Sequence, residues 1–315
     1  MESPDGIARA PRRLFTRRRA RRWAIRLVAL TALWLLGSFL VAHRLTRRQG
    51  SPFEEPAPRV SWASFEAVRL PTRDGHELGA WFADGRAGAP SVVILHGNGG
   101  HRGHSLSRAH LLAGVGCAVL PVTFRAHGDS TGVFNDIGYS ARLDVIAAVE
   151  YLERRRPGRP IVILGSSLGA AAATFASAEL GHRVRGYILE APYLDLKVAV
   201  RNRTAEHLPI GLEWLAYRSL VAVAPLVLDD LEKISPRDAI AGIPDDVPVL
   251  LISGGKDQKA RTDQVEALSE RVRGHGRHVI FKEAGHLHFA ESDPDLYNRT
   301  ILDFIREVAR RPGGG

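Results

Sequence analysis

A mainly parallel β-sheet covered by helices on both faces is the fold class the sequence predicts. Six short apolar runs read as buried strands: "SVVILHG", "CAVLPVTF", "PIVILGS", "GYILEAP", "VPVLLISG" and "HVIFKEAG". Helix-period stretches lie between most of them, among them Tyr139 to Arg155 and Thr262 to Val272. Residues able to do chemistry gather where the runs end, which is where ligands bind in an open parallel sheet.

The 315-residue chain starts with its charge anomaly. Of its 43 Lys and Arg residues, 12 arginines fall in the first 50 positions, against only Glu2 and Asp5 of its 34 acids. The net charge of +9 therefore belongs to the N-terminus, and the rest of the chain is close to neutral. That placement removes support for nucleic-acid binding by the main domain. "LVALTALWLLGSFLVA", Leu27 to Ala42, is uncharged, and with Trp23 to Arg26 it reaches bilayer-spanning length. Arg26, near one end, can carry its head group to the interface.

Nine arginines precede the apolar run and three follow it, so the positive-inside rule places residues 1–22 in the cytoplasm and the domain on the outer side. A cleaved signal peptide fits less well, because "FLVAHR" lacks paired small residues at a cut site. "PRRLFT" has twin-arginine character, which the following "RRRARR" block dilutes. The expected organisation is a basic N-terminus over 1–22, a membrane anchor over 23–42, a Pro- and charge-rich linker over 43–61 and an α/β domain over 62–311.

Within that domain "FEAVRLPTRDG" and "HELGAWFAD" read as a hairpin turning at Asp74-Gly75. The strand–helix alternation follows, interrupted once. Residues 193–236 are long and helical in pattern, placed to form a cap. Their apolar stretch Leu208 to Leu228 either packs onto the sheet or makes an apolar wall, able to hold an acyl chain, facing Ser167 just after "PIVILGS". Cys117, the single cysteine, lies in the apolar run "GCAVLPV" and reads as a small buried hydrophobe.

The strand ends carry His96-Gly97-Asn98-Gly99-Gly100, Ser166-Ser167, Lys256-Asp257 and His286. Gly165-Ser166-Ser167-Leu168-Gly169 fits G-x-S-x-G, in which the central serine sits on a sharp strand-to-helix turn and glycines relieve the crowding. Ser167 is therefore the candidate nucleophile, with Ser166 facing away as a small packing residue. A serine hydroxyl needs a base, and His286 Nε2 is the candidate, with Asp257 holding the imidazole tautomer. The backbone N–H groups of Asn98 and Leu168 are the candidate oxyanion donors.

Each assignment has a rival. Asp257 could cap the helix that follows, although Thr262 or Asp263 suits that job better, and His288 stands two residues past His286. His96, His101 and His104 lack the partner carboxylates and cysteines of a zinc site, so no metal is implied. No cofactor is implied either. Arg125, His127 and Asp129 read as loop braces.

From about residue 64 to 310 the chain resembles the α/β-hydrolase superfamily. It is most similar to the branch with a compact cap and an N-terminal membrane segment, the membrane-anchored esterases and serine-aminopeptidase-like hydrolases. "LHGNGGHRGHSL" resembles that branch's oxyanion turn, and "TFRAHGDSTG" its following loop, with Thr123 where an aspartate is usual. "LGSSLGAA", "GGKDQ" and "EAGH" resemble the nucleophile, acid and histidine segments.

The resemblance implies catalytic roles for Ser167, Asp257 and His286 and oxyanion roles for Asn98 and Leu168. It favours His286, which directly follows a small residue after its strand, over His288. It also implies ester, thioester or lysophospholipid hydrolysis. The expected function is a membrane-anchored serine hydrolase working through an acyl-enzyme on a small-molecule or lipid-derived ester. A peptidase or acyl-aminoacyl hydrolase, an acyltransferase and a non-catalytic binding scaffold are the alternatives. The sequence leaves oligomeric state open.

Overall fold

The computed structural model describes residues 17–311; the residues before Arg17, most of the expected basic N-terminus, lie outside it. Eight strands form one sheet: β1 (Glu66–Pro71), β2 (Glu77–Phe82), β3 (Ser91–Leu95), β4 (Ala118–Val122), β5 (Ile161–Ser166), β6 (Gly186–Glu190), β7 (Val249–Gly254) and β8 (Gly276–Phe281). Their spatial order is β1-β2-β4-β3-β5-β6-β7-β8. β1 and β2 form the expected hairpin, with Gly75 at φ 84° in its turn. β2 also runs antiparallel to β4, and every later pairing is parallel. All six apolar runs became parallel strands.

The helices are α1 (Arg17–Leu45), α2 (Leu106–Gly114), α3 (Arg142–Arg155), α4 (Leu168–Leu180), α5 (Leu196–His207), α6 (Leu212–Val223), the short α7 (Pro236–Ala239), α8 (Thr262–Arg271), the short α9 (Phe289–Ser292) and α10 (Pro294–Arg310). Alternation along the central strands divides the core between two faces. Val93, Leu95 and Ile163 pack with α3, α4 and α8, while Val92, Ile94 and Val162 pack with α2 and α10. Each fully buried Val, Leu or Ile contributes roughly 1.5–3 kcal/mol. On α10 the spacing of Tyr297, Ile301, Phe304, Ile305 and Val308 turns one apolar stripe onto the sheet. The alanine run of α4 lets that helix sit close against β5, because Ala170 to Ala173 are all fully buried.

α1 is 29 residues long, apolar enough to cross a bilayer, and largely exposed. Its C-terminal half nevertheless docks on the cap. Trp34 Nε1 and Ser38 Oγ donate to Ser219 Oγ of α6 at 3.0 and 2.9 Å. The stretch after α1, expected to be a linker, is bonded to the domain at several places. Arg48 donates its N–H to Val133 O (2.8 Å) and its guanidinium to the carbonyls of Gly128, Ser130 and Gly132. Glu55 is buried, and its carbonyl accepts from Trp81 Nε1 at 3.1 Å.

Candidate active site

At the end of β5 the chain turns into α4 through Ser167, whose backbone sits at φ 51°, ψ −107°. Such a conformation is costly for a residue with a Cβ and persists only where the surroundings enforce it. The two flanking glycines explain how. A Cβ on Gly165 would lie 2.5 Å from the Gly169 carbonyl, and one on Gly169 would lie 2.6 Å from the Leu95 carbonyl. Strand and helix approach too closely for any side chain at either position. The Ser167 N–H is fixed by Glu190 O at 2.7 Å.

Ser167, Asp257 and His286 come together from the ends of β5, β7 and β8. Ser167 Oγ lies 3.1 Å from His286 Nε2, and His286 Nδ1 lies 2.8 Å from Asp257 Oδ2. Ser167 is 6% exposed and Asp257 is buried. Burial pushes the Asp257 carboxyl up, but His286 and the N–H groups of Ala260 and Lys259 outweigh it and hold the acid below its ordinary range. Asp257 Oδ1 accepts the N–H of Lys259 at 2.7 Å and that of Ala260 at 3.0 Å. It therefore pins its own turn with one oxygen and orients the imidazole with the other, while α8 starts five residues later. His288 sits at the start of α9 and bonds to neither Ser167 nor Asp257.

The turn after β3 lies against the serine: a Cβ on Gly97 would be 3.6 Å from Ser167 Cβ. Asn98 belongs to that turn and Leu168 opens α4, and among the described residues neither backbone N–H has a protein hydrogen-bond partner. The histidines around the turn are engaged. His96 is fully buried, and burial pushes its pKa well below the ordinary value. Its Nε2 accepts from Phe124 N–H (3.1 Å), which leaves Nδ1 to donate to Gly97 O (2.7 Å). His127 Nε2 accepts from Gly99 N–H (3.2 Å), and His101 Nδ1 meets Glu55 Oε2 at 2.9 Å. Burial pushes the Cys117 thiol up to about 11, a poor nucleophile.

Several contacts around the site had no clear signal in the sequence. Ser166 is more than a packing residue: its Oγ donates to Glu190 Oε2 (2.7 Å), a buried carboxylate also held by Arg108 and the Tyr297 hydroxyl. Thr123, where the resemblance expects an aspartate, donates to Glu55 Oε1 at 2.9 Å. Glu55 thus delivers from outside the expected domain a carboxylate to Arg102, which also binds Asp129. Arg125 clamps Asp144 and the hairpin-turn residue Asp74. Asn135 Nδ2 donates to Asn98 Oδ1 at 2.8 Å, and its own N–H donates to Thr46 O at 3.0 Å.

Beside the site, between α1 and the cap helices, runs an apolar cavity of about 700 Å³. Ser167, Asp257 and His286 do not line it. The cap segment had two expected roles, packing onto the sheet or walling an acyl site; its helix α6 packs on α5 and on α1.

Sheet order, strained serine turn and the Ser–His–Asp contact define an α/β-hydrolase fold built around a serine. The chain belongs to the α/β-hydrolase superfamily, in the serine hydrolase and esterase family described as serine aminopeptidase, S33, which it matches over residues 88–238. It is 30% identical over 291 residues to an uncharacterized protein of Mycobacterium tuberculosis, Rv2307c, covering 90% of this chain and 94% of the relative. It is 29% identical to human protein ABHD12B, over 78% of this chain and 68% of that one. The lysophosphatidylserine lipase ABHD12 of Macaca fascicularis is 28% identical over 47% of this chain and 38% of its own. The Pyrococcus furiosus esterase Pf2001 superposes with a TM-score of 0.64 over 82% of this chain and 99% of its own; at 23% identity the likeness is one of fold.

Proposed function

We propose that the protein is a membrane-anchored serine esterase that cleaves carboxylic esters or thioesters of medium or long acyl chains through an acyl-enzyme. Ser167 Oγ adds to the carbonyl carbon as His286 Nε2 takes its proton, and Asp257 stabilises the imidazolium. The N–H groups of Asn98 and Leu168 hold the tetrahedral oxyanion. The carbon–oxygen or carbon–sulfur bond to the leaving group then breaks, and His286 returns the proton to that alcohol or thiol. Water, deprotonated by His286, hydrolyses the acyl-serine and frees the carboxylate.

The carrying observation is the Ser167–His286–Asp257 hydrogen-bond series on a strained turn. The lysophosphatidylserine lipase relative favours lipid-derived esters. A peptidase needs an anion to hold its substrate's free amine, and among the described residues none lining the neighbouring cavity is acidic. The charge asymmetry around the long apolar helix supports a single-pass anchor with the domain outside the cytoplasm.

Covalent labelling with a fluorophosphonate tests the chemistry. The wild type should label; Ser167→Ala should abolish the adduct, His286→Ala should slow it by a factor of 10³ or more, and Ser166→Ala should keep it. A wild type that never labels, or an adduct surviving Ser167→Ala, overturns the assignment.

A further inference from the structure

The cavity between α1 and the cap has one wall that follows a single helix face. Leu30, Leu33, Gly37, Val41 and Leu45 line it at spacings of three and four. Leu220 of α6, Val200 and Leu208 of the α5 region, and Leu228 stand opposite. From Leu30 to Leu45 this wall runs about 22 Å at 1.5 Å per residue, longer than the roughly 15 Å of hydrocarbon in one leaflet. The volume suits a ligand rather than a solvent pocket. The cavity is open along one side, where Leu33 remains 65% exposed.

The depth of the cavity follows from the docking contacts. Ser219 is bonded to Trp34 and Ser38, four to eight residues before Ala42, where the apolar run ends. With α1 in a bilayer, α6 then lies about 6–12 Å below the level of Ala42. Its neighbourhood fits that medium: Ile210 is 97% exposed, Leu226 71% and Trp214 62%. Large apolar side chains this exposed are costly in water and cost nothing in lipid.

The interfacial end of the cavity reaches the chemistry through residues 135–138. Thr46 and Ile137 line the cavity there. Thr46 O accepts from Asn135, and Asn135 bonds to Asn98. A Cβ on Gly138 would lie 3.3 Å from Leu168 O. The segment thus touches both candidate oxyanion residues, and Ile137 between them faces the cavity.

We propose that this cavity binds the acyl chain of the ester substrate, taken sideways from the leaflet on the domain's side, so that the membrane helix is itself a wall of the substrate site. The chain's methyl end lies toward Leu30 and its carboxyl end toward Thr46 and Ile137. That is the orientation the chain already has in the leaflet, so entry needs no turning of the lipid through water. As a statement about substrate, this rests on the esterase reading; as a statement about binding, it stands apart from it.

Two experiments on the full-length protein in phosphatidylcholine nanodiscs separate the two. In the first, Ser167→Ala is irradiated with a palmitoyl ester carrying a photoreactive diazirine on its chain, and adducts are mapped by mass spectrometry. Adducts at Gly37, Val41 and Leu220 are expected. Adducts confined to lipid-facing positions such as Leu27, Leu36 and Trp214 overturn the site, whatever the enzyme's activity. In the second, Gly37→Leu fills the cavity from a position where a Cβ meets nothing within 4 Å. The ratio of kcat/KM for a C16 ester to that for a C4 ester should fall about tenfold or more, in the range that a few methylenes of pocket contact command. An unchanged ratio overturns the proposal. Wild type that turns over neither ester refutes the esterase reading and leaves the adduct map to decide the binding site.

Discussion

Asp74 sits in the hairpin turn and receives two hydrogen bonds from Arg125, at 2.6 and 3.1 Å. Burial works against its charge, yet the bonds from Arg125 and Thr72 win and hold the carboxyl at about 2. Because the folded value lies below the unfolded one of about 3.9, the pair's contribution is fully present above the unfolded value and disappears as pH falls toward about 2. Asp74→Asn should therefore cost stability at neutral pH, and the gap to wild type should close between about pH 4 and 2. Chemical denaturation across that range checks it, and a gap independent of pH refutes it. Asp74 was legible as a turn residue and Arg125 as a brace, because Asp-Gly and the loop motif are local patterns. Glu55 was not. An acid in "PFEEP" carries no sign that the chain folds back to bury it beside Arg102 and Thr123, since that contact spans 47 and 68 positions of sequence.

Among the elements, the strands and the serine turn were readable because each is a short run with its own period and punctuation. That α6 also packs against α1 was not, since an apolar face does not name its partner and the bonded residues are 181 and 185 positions apart. The 135–138 segment shows the same limit. It carries no motif, yet it joins the end of α1 to the turn bearing Asn98, with Ile137 and Gly138 in left-handed backbone. Asn135→Ala should leave fluorophosphonate labelling of Ser167 detectable and lower kcat about tenfold with little change in KM, as for a positioning residue acting through an oxyanion donor. A rise in KM alone would assign Asn135 to substrate binding instead.

For the whole molecule, the charge asymmetry of the N-terminus sets a testable direction. A reporter fused at the C-terminus, active only outside the cytoplasm, should be active, and one that works only in the cytoplasm should be silent; the reverse pattern refutes the orientation. The division into anchor, linker and catalytic domain was the coarsest part of the sequence reading, because composition marks a linker by what it lacks. Here the stretch after α1 supplies Glu55 to Arg102, a guanidinium only 1% exposed. Liberating a water-soluble enzyme by starting the chain at Trp62, the step composition invites, would strip one of the two carboxylates that meet the Arg102 guanidinium and leave Asp129 alone against it. A fragment cut this way should be less stable than one that begins upstream of Glu55, for electrostatic reasons that arise before any question of lipid.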